Sequence, residues 1–92
     1  MIDLAREWDE RADKLQRALR LALRSRRREL GFSAATISSR HGKTPNWISA
    51  MECAKKRKKT PRLDTLMELA IAHEMTLAEL IHKVEHFYGT LR

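Results

Sequence analysis

Apolar residues recur every three or four positions along almost the whole chain. Ala5, Trp8, Ala12, Leu15, Leu19, Ala22 or Leu23, and Leu30 share one stripe, which predicts a long first helix over residues 3–30. Gly31 suits the left-handed position that ends a helix, where a Cβ would clash. Ser33 is an N-cap residue ahead of a short second helix over residues 34–41, with Ile37 as its core residue, and Gly42 closes that helix as Gly31 closes the first. Thr44-Pro45 predicts the next start, with Thr44 as cap and Pro45 in the first position, where the missing N–H would be orphaned anyway. Thr60-Pro61 repeats this ahead of Leu63, Leu66, Leu69 and Ala70, with His73 at the end. Thr76 and Glu79 form a capping box, and Met75 and Leu80 have the spacing of a hydrophobic staple. Leu77, Leu80, Ile81, Val84, Phe87 and Leu91 follow on the last helix. Five helices joined by short connections, with no strand, predict an all-α fold.

Composition narrows the function. At 92 residues the chain is expected to be one domain, too small for a deep cleft between two lobes. The longest apolar run, residues 69–72, is far below the ~20 residues of a bilayer span, so no membrane partner is expected. Residues 1–13 lack a basic patch followed by an apolar stretch, and Cys53 is the only cysteine; both suit a cytoplasmic protein. No Ser–His–Asp order, phosphate-cradling glycine loop or paired carboxylate suggests an enzyme, and no cofactor is expected.

Charge adds more. The net charge is +7, but residues 15–62 hold fourteen bases against only Glu29 and Glu52, while both ends are mildly acidic. A localised basic stretch points to a polyanion, because each phosphate neutralised by Lys or Arg releases a condensed counterion. The stretch has neither the apolar face of a lipid-inserting helix nor the aromatics that stack single-stranded RNA.

Within this basic stretch, residues 33–52 read as helix, glycine-containing turn and second helix, the pattern in which the second helix enters the major groove of DNA. At about 100° per residue from Asn46, Ile48, Met51 and Glu52 fall between about 140° and 240°. Asn46, Ser49, Ala50 and Cys53 cluster on the opposite side, and Trp47 sits on the boundary. The first group is expected to be buried and the second to face a groove.

Over about residues 19–81 the chain resembles the lambda-repressor/Cro-like (XRE-type) helix-turn-helix regulators. The resemblance rests on RRRELGFS (residues 26–33), TPNWISAME (44–52), TPRLDTLMELA (60–70) and MTLAELI (75–81). It implies five helices in one domain, with residues 1–18 and 82–92 as helical extensions. It also implies a symmetric homodimer on a palindromic double-stranded DNA operator, and a transcriptional regulator, most often a repressor, associated with the nucleoid. Arg27 is implied to reach Glu52 and fix the recognition helix, which agrees with the core-facing placement of both residues. Thr44, Asn46, Trp47, Ser49 and Ala50 become the candidate base readers. The family often has Gln at the position of Ala34, Arg or Gln at that of Ala50, and Gly at that of Ala54. Direct readout therefore falls mainly on Asn46, whose paired donor and acceptor suit adenine. Ser33, Arg40, Lys43 and Arg62 are the candidate phosphate contacts, with the run Lys55, Lys56, Arg57, Lys58 and Lys59.

Other features have two readings each. The lysine-rich run is either a solvated loop or a phosphate clamp. The stripes at the two chain ends either cover each other within one subunit or build a dimer through Trp8, Leu15, Leu80, Val84 and Phe87. His82 and His86 lie four apart, but without a further ligand they read as surface histidines and no metal is expected. Cys53 is either a small filler or a thiol sensor. A regulator would have RNA polymerase as a further partner. The alternative is an antitoxin-like module whose first helix masks a toxin-like protein and which regulates its own operon.

Overall fold

The computed structural model describes residues 4–53 and 61–91; the run Lys55, Lys56, Arg57, Lys58 and Lys59 lies outside them, as does Thr60. The described residues form an all-α fold of five helices: α1 (Leu4–Leu30), α2 (Ala34–Arg40), α3 (Trp47–Met51), α4 (Leu63–Ala72) and α5 (Leu77–Thr90). None is long and apolar enough to cross a membrane.

At ~1.5 Å rise per residue α1 is about 40 Å long. Only its second half reaches the core, through Ala18, Leu19, Ala22 and Leu23. These residues join Ile37 of α2, Ile48 of α3, Leu69, Ala70 and Ala72 of α4, and Leu80 and Val84 of α5 in one buried cluster. The main helix pairing is α1 with α5. The stripe of α5 is therefore covered by the second half of α1 in the same chain, and the expected dimer interface needs correction at its α5 residues. Leu80 and Val84 are inside the subunit and Phe87 is half-buried, whereas Trp8 and Leu15 remain exposed.

Three helices end with the same device. At Gly31, Gly42 and Glu74 the backbone turns left-handed, with φ of 75°, 68° and 56°. After α1 the Phe32 N–H reaches back to the Arg27 carbonyl; after α2 Lys43 reaches Ser38; after α4 Met75 reaches Ala70. Each bond satisfies a carbonyl that the helix end would otherwise orphan. Glu74 occupies a conformation that costs a side-chain-bearing residue about 1–2 kcal/mol. The capping box at Thr76 is present, Thr76 and Glu79 each donating a backbone N–H to the other's side chain at 3.0 Å. The start of α4 lies at Leu63, later than the Thr60-Pro61 pair suggests, with extended Arg62 as its N-cap and no side-chain cap bond.

Polar groups tie the far ends together. Arg26 donates to the His73 carbonyl at 3.0 Å and the Glu74 carbonyl at 3.2 Å, pinning the end of α4 to α1. Glu29 pairs with Lys83 at 2.6 Å, joining α1 to α5, and the two cations around it hold its carboxyl below the usual range. His73 is fully buried; its Nδ1 lies 2.7 Å from the Leu69 carbonyl, while its Nε2 has no hydrogen-bond partner among the described residues.

Candidate nucleic-acid interface

The candidate interface is built on two short helices. Ser33 caps α2: its Oγ accepts from the Thr36 N–H at 3.1 Å and pairs with the Thr36 hydroxyl at 2.7 Å. Ile37 and Ser38 form the buried side of α2.

The entry to α3 differs from the sequence expectation. The Trp47 N–H bonds the Thr44 carbonyl at 3.0 Å, closing a tight turn with Pro45 and Asn46 at its centre. Pro45 suits the second position of a type I turn, and Asn46, at φ −93° and ψ 6°, has the conformation of the third. The helix therefore starts at Trp47 rather than Pro45, and Asn46 rather than Thr44 stands at its N-cap. Thr44 instead donates its hydroxyl to Asn46 Oδ1 at 2.7 Å.

Asn46 makes no side-chain cap bond to α3. The orphaned Ile48 N–H is satisfied from α2, by the buried Ser38 Oγ at 3.0 Å. That hydroxyl donates in turn to the Ala34 carbonyl at 2.8 Å. Ser38 thus caps α3 across the turn. The Asn46 amide is left directed by Thr44, with its nitrogen and one oxygen lone pair uncommitted to that bond.

The other end of α3 is held by charge. Glu52, 6% exposed, receives Arg27 through Nε at 2.7 Å and Nη2 at 2.9 Å, a two-pronged pairing. Arg24 adds a weaker contact at 3.4 Å, and Arg27 also donates Nη1 to the Phe32 carbonyl at 3.2 Å. The Glu52 hydrogen bond raises the Arg27 guanidinium above its ordinary value, against the opposing effect of burial. Five residues make about one and a half turns, too few for a helix to persist alone. Its position depends on Ile48 in the core, Ser38 at its start and Arg27 at its end.

With that side fixed, Asn46, Ser49 and Ala50 are exposed, Trp47, Met51 and Cys53 are half-buried, and Ile48 and Glu52 are buried. Ser49 Oγ donates to the Asn46 carbonyl at 3.1 Å. The candidate phosphate contacts outside the lysine-rich run are also exposed, and each is positioned by a neighbour. Arg40 stacks over Phe32 at 4.7 Å, Lys43 pairs with Glu68 at 2.6 Å and lies over Trp47 at 5.4 Å, and Arg62 pairs with Asp64 at 3.2 Å. His82 and His86 are exposed on α5, and no cluster of three metal-ligating side chains occurs among the described residues.

Ser38 and Arg24 support the site without having been singled out from sequence. Ser38 follows Ile37 directly and has no periodic signature, and the cap it provides depends on the path of the turn. No protein-family model matches the chain, and no curated protein or solved structure matches it either.

Proposed function

We propose that the chain is a transcriptional regulator of the lambda-repressor/Cro-like type. It binds double-stranded DNA as a homodimer, with α2 and α3 as the helix-turn-helix unit and α3 in the major groove. The observation that carries this reading is the two-sidedness of α3. Its buried side is tied down at Ile48, Ser38 and the Arg27–Glu52 pair, while Asn46, Ser49 and Ala50 are exposed and Lys43 lies over the adjoining Trp47 ring. Small polar side chains on a short, clamped helix let the backbone approach base edges closely. Asn46 is the main reader, with its amide oriented by Thr44 to accept from and donate to adenine. Ser49 and Thr44 are lesser hydrogen-bonding candidates, and Ala50 or Trp47 meets a thymine methyl. Arg40, Lys43, Arg62 and the lysine-rich run serve the phosphates.

Selecting duplexes from a randomised pool tests the reading. A pseudo-palindromic consensus with an adenine in each half-site is expected. Asn46→Ala then costs ~1–3 kcal/mol on the selected duplex and much less on random DNA. Equal losses on both would remove Asn46 from base reading.

The exposed first half of α1 favours a second reading, an antitoxin-like module whose α1 covers a partner protein while α3 regulates its own operon. A stable heterocomplex purified from native cells would favour it over the homodimer.

A further inference from the structure

Along the first half of α1, Leu4, Trp8 and Leu15 are 72%, 65% and 43% exposed. Spaced four and seven apart, they form one line on the helix. Beside them runs an apolar trough between α1 and α5. One stretch, about 250 Å³, is lined by Trp8, Arg11, Ala12, Leu15, Glu85 and Tyr88, and its surface is almost wholly apolar. The next, about 100 Å³, shares Leu15 and continues along Ile81 and Leu66.

We propose, on the homodimer of the preceding reading, that a second copy of this chain docks here by reciprocal insertion of Trp8. In an antiparallel pairing of the two α1 arms, Trp8 of each copy lies beside Leu15 of the other and enters the trough next to Tyr88. The twofold axis passes near Arg11 and Ala12.

Charge selects this occupant. Residues 4–17 hold four acids and four bases, a net of zero in a chain of net charge +7. Six of the eight pair along the helix: Arg6 with Glu10, Arg11 with Glu7, and Arg17 with Asp13. A neutral, internally paired arm offers nothing to a strongly acidic or basic face and does not repel the same neutral arm of a second copy. Area agrees. At ~200 Å² for a large side chain, the three residues expose on the order of 400 Å² per copy. Doubled across the axis, that is roughly the apolar share of a stable interface of about 1,300 Å².

Sedimentation of the full chain at micromolar concentration tests the proposal. The wild type is expected to run as a dimer. Trp8→Ser should weaken dimerisation at least tenfold while keeping its helical circular dichroism, since Trp8 is outside the core. In a Cys53→Ser background, Ala12→Cys should form a disulfide-linked dimer on mild oxidation, and Met67→Cys on the exposed side of α4 should not. A monomeric wild type at 100 µM overturns the proposal, as does a dimer indifferent to Trp8→Ser or cross-linked at position 67 instead of 12. Loss of duplex binding with the Ala12→Cys cross-link intact would leave this interface standing and remove the DNA reading instead.

Discussion

Removing Arg27 tests how α3 is held. The Glu52 carboxylate is buried and takes two hydrogen bonds from Arg27, at 2.7 and 2.9 Å, and a longer one from the half-exposed Arg24. Breaking a buried pair by deleting one partner costs about 3–5 kcal/mol, because the remaining charge is stranded. Arg24 retains some compensation at 3.4 Å, so Arg27→Ala is expected to cost about 2–4 kcal/mol. Glu52→Ala is milder, about 1–2 kcal/mol, since the Arg27 side chain is 19% exposed and keeps the Phe32 carbonyl. The double variant strands no carboxylate, so it should cost less than Arg27→Ala and close to Glu52→Ala, with a coupling energy of about 2–4 kcal/mol. Urea unfolding at pH 7, with all four proteins at one concentration, measures the cycle. Simple additivity, or single costs below about 0.5 kcal/mol, would refute the idea that this pair clamps the helix.

Two further outcomes follow from buried or strained groups. Burial pushes His73 below its ordinary value, against the opposing hydrogen bond to the Leu69 carbonyl, and the nearby groups Glu52, Arg27 and His41 bear on it as well. Between that lowered value and about 6.5 the unfolded chain binds a proton that the folded chain refuses. Stability should therefore be full above about pH 6.5 and fall as acid is added, and His73→Gln should flatten this dependence in urea midpoints taken from pH 7.5 to 5.5; equal slopes would contradict it. Glu74→Gly relieves a left-handed backbone and should raise stability by roughly 0.5–1 kcal/mol in thermal unfolding, whereas an unchanged or lower midpoint would show no strain there.

The helices were legible in the sequence because apolar spacing at three and four residues is written directly into the chain, and Gly31, Gly42 and the Thr76–Glu79 box mark ends with little ambiguity. The outward side of α3 was legible for the same reason, since a helix of known pitch places Ile48 opposite Asn46. What escaped were features set by long-range geometry. Thr44-Pro45 fits a helix start and a type I turn equally well, and only the Trp47–Thr44 hydrogen bond decides for the turn. The sequence places the end of α4 at His73 but does not disclose the left-handed step at Glu74, because no glycine marks it. Leu80 and Val84 carry the same stripe whether the covering helix belongs to the same subunit or to another. Here α1 of the same chain covers them, which leaves Trp8 and Leu15 as the unburied remainder.

The most direct test places negative charge on the outward side of α3. Ser49→Glu together with Ala50→Glu alters two exposed positions and leaves Ile48, Ser38 and the Arg27–Glu52 pair in place. Fluorescence anisotropy with a labelled duplex, read at several salt concentrations, then compares variant and wild type. The wild type should bind with an affinity that falls steeply as salt rises. The variant should fold with the same helical content and lose at least a hundredfold in duplex affinity. A variant that binds duplex as well as the wild type, or a wild type indifferent to duplex at low salt, would contradict the assignment of α3 to DNA.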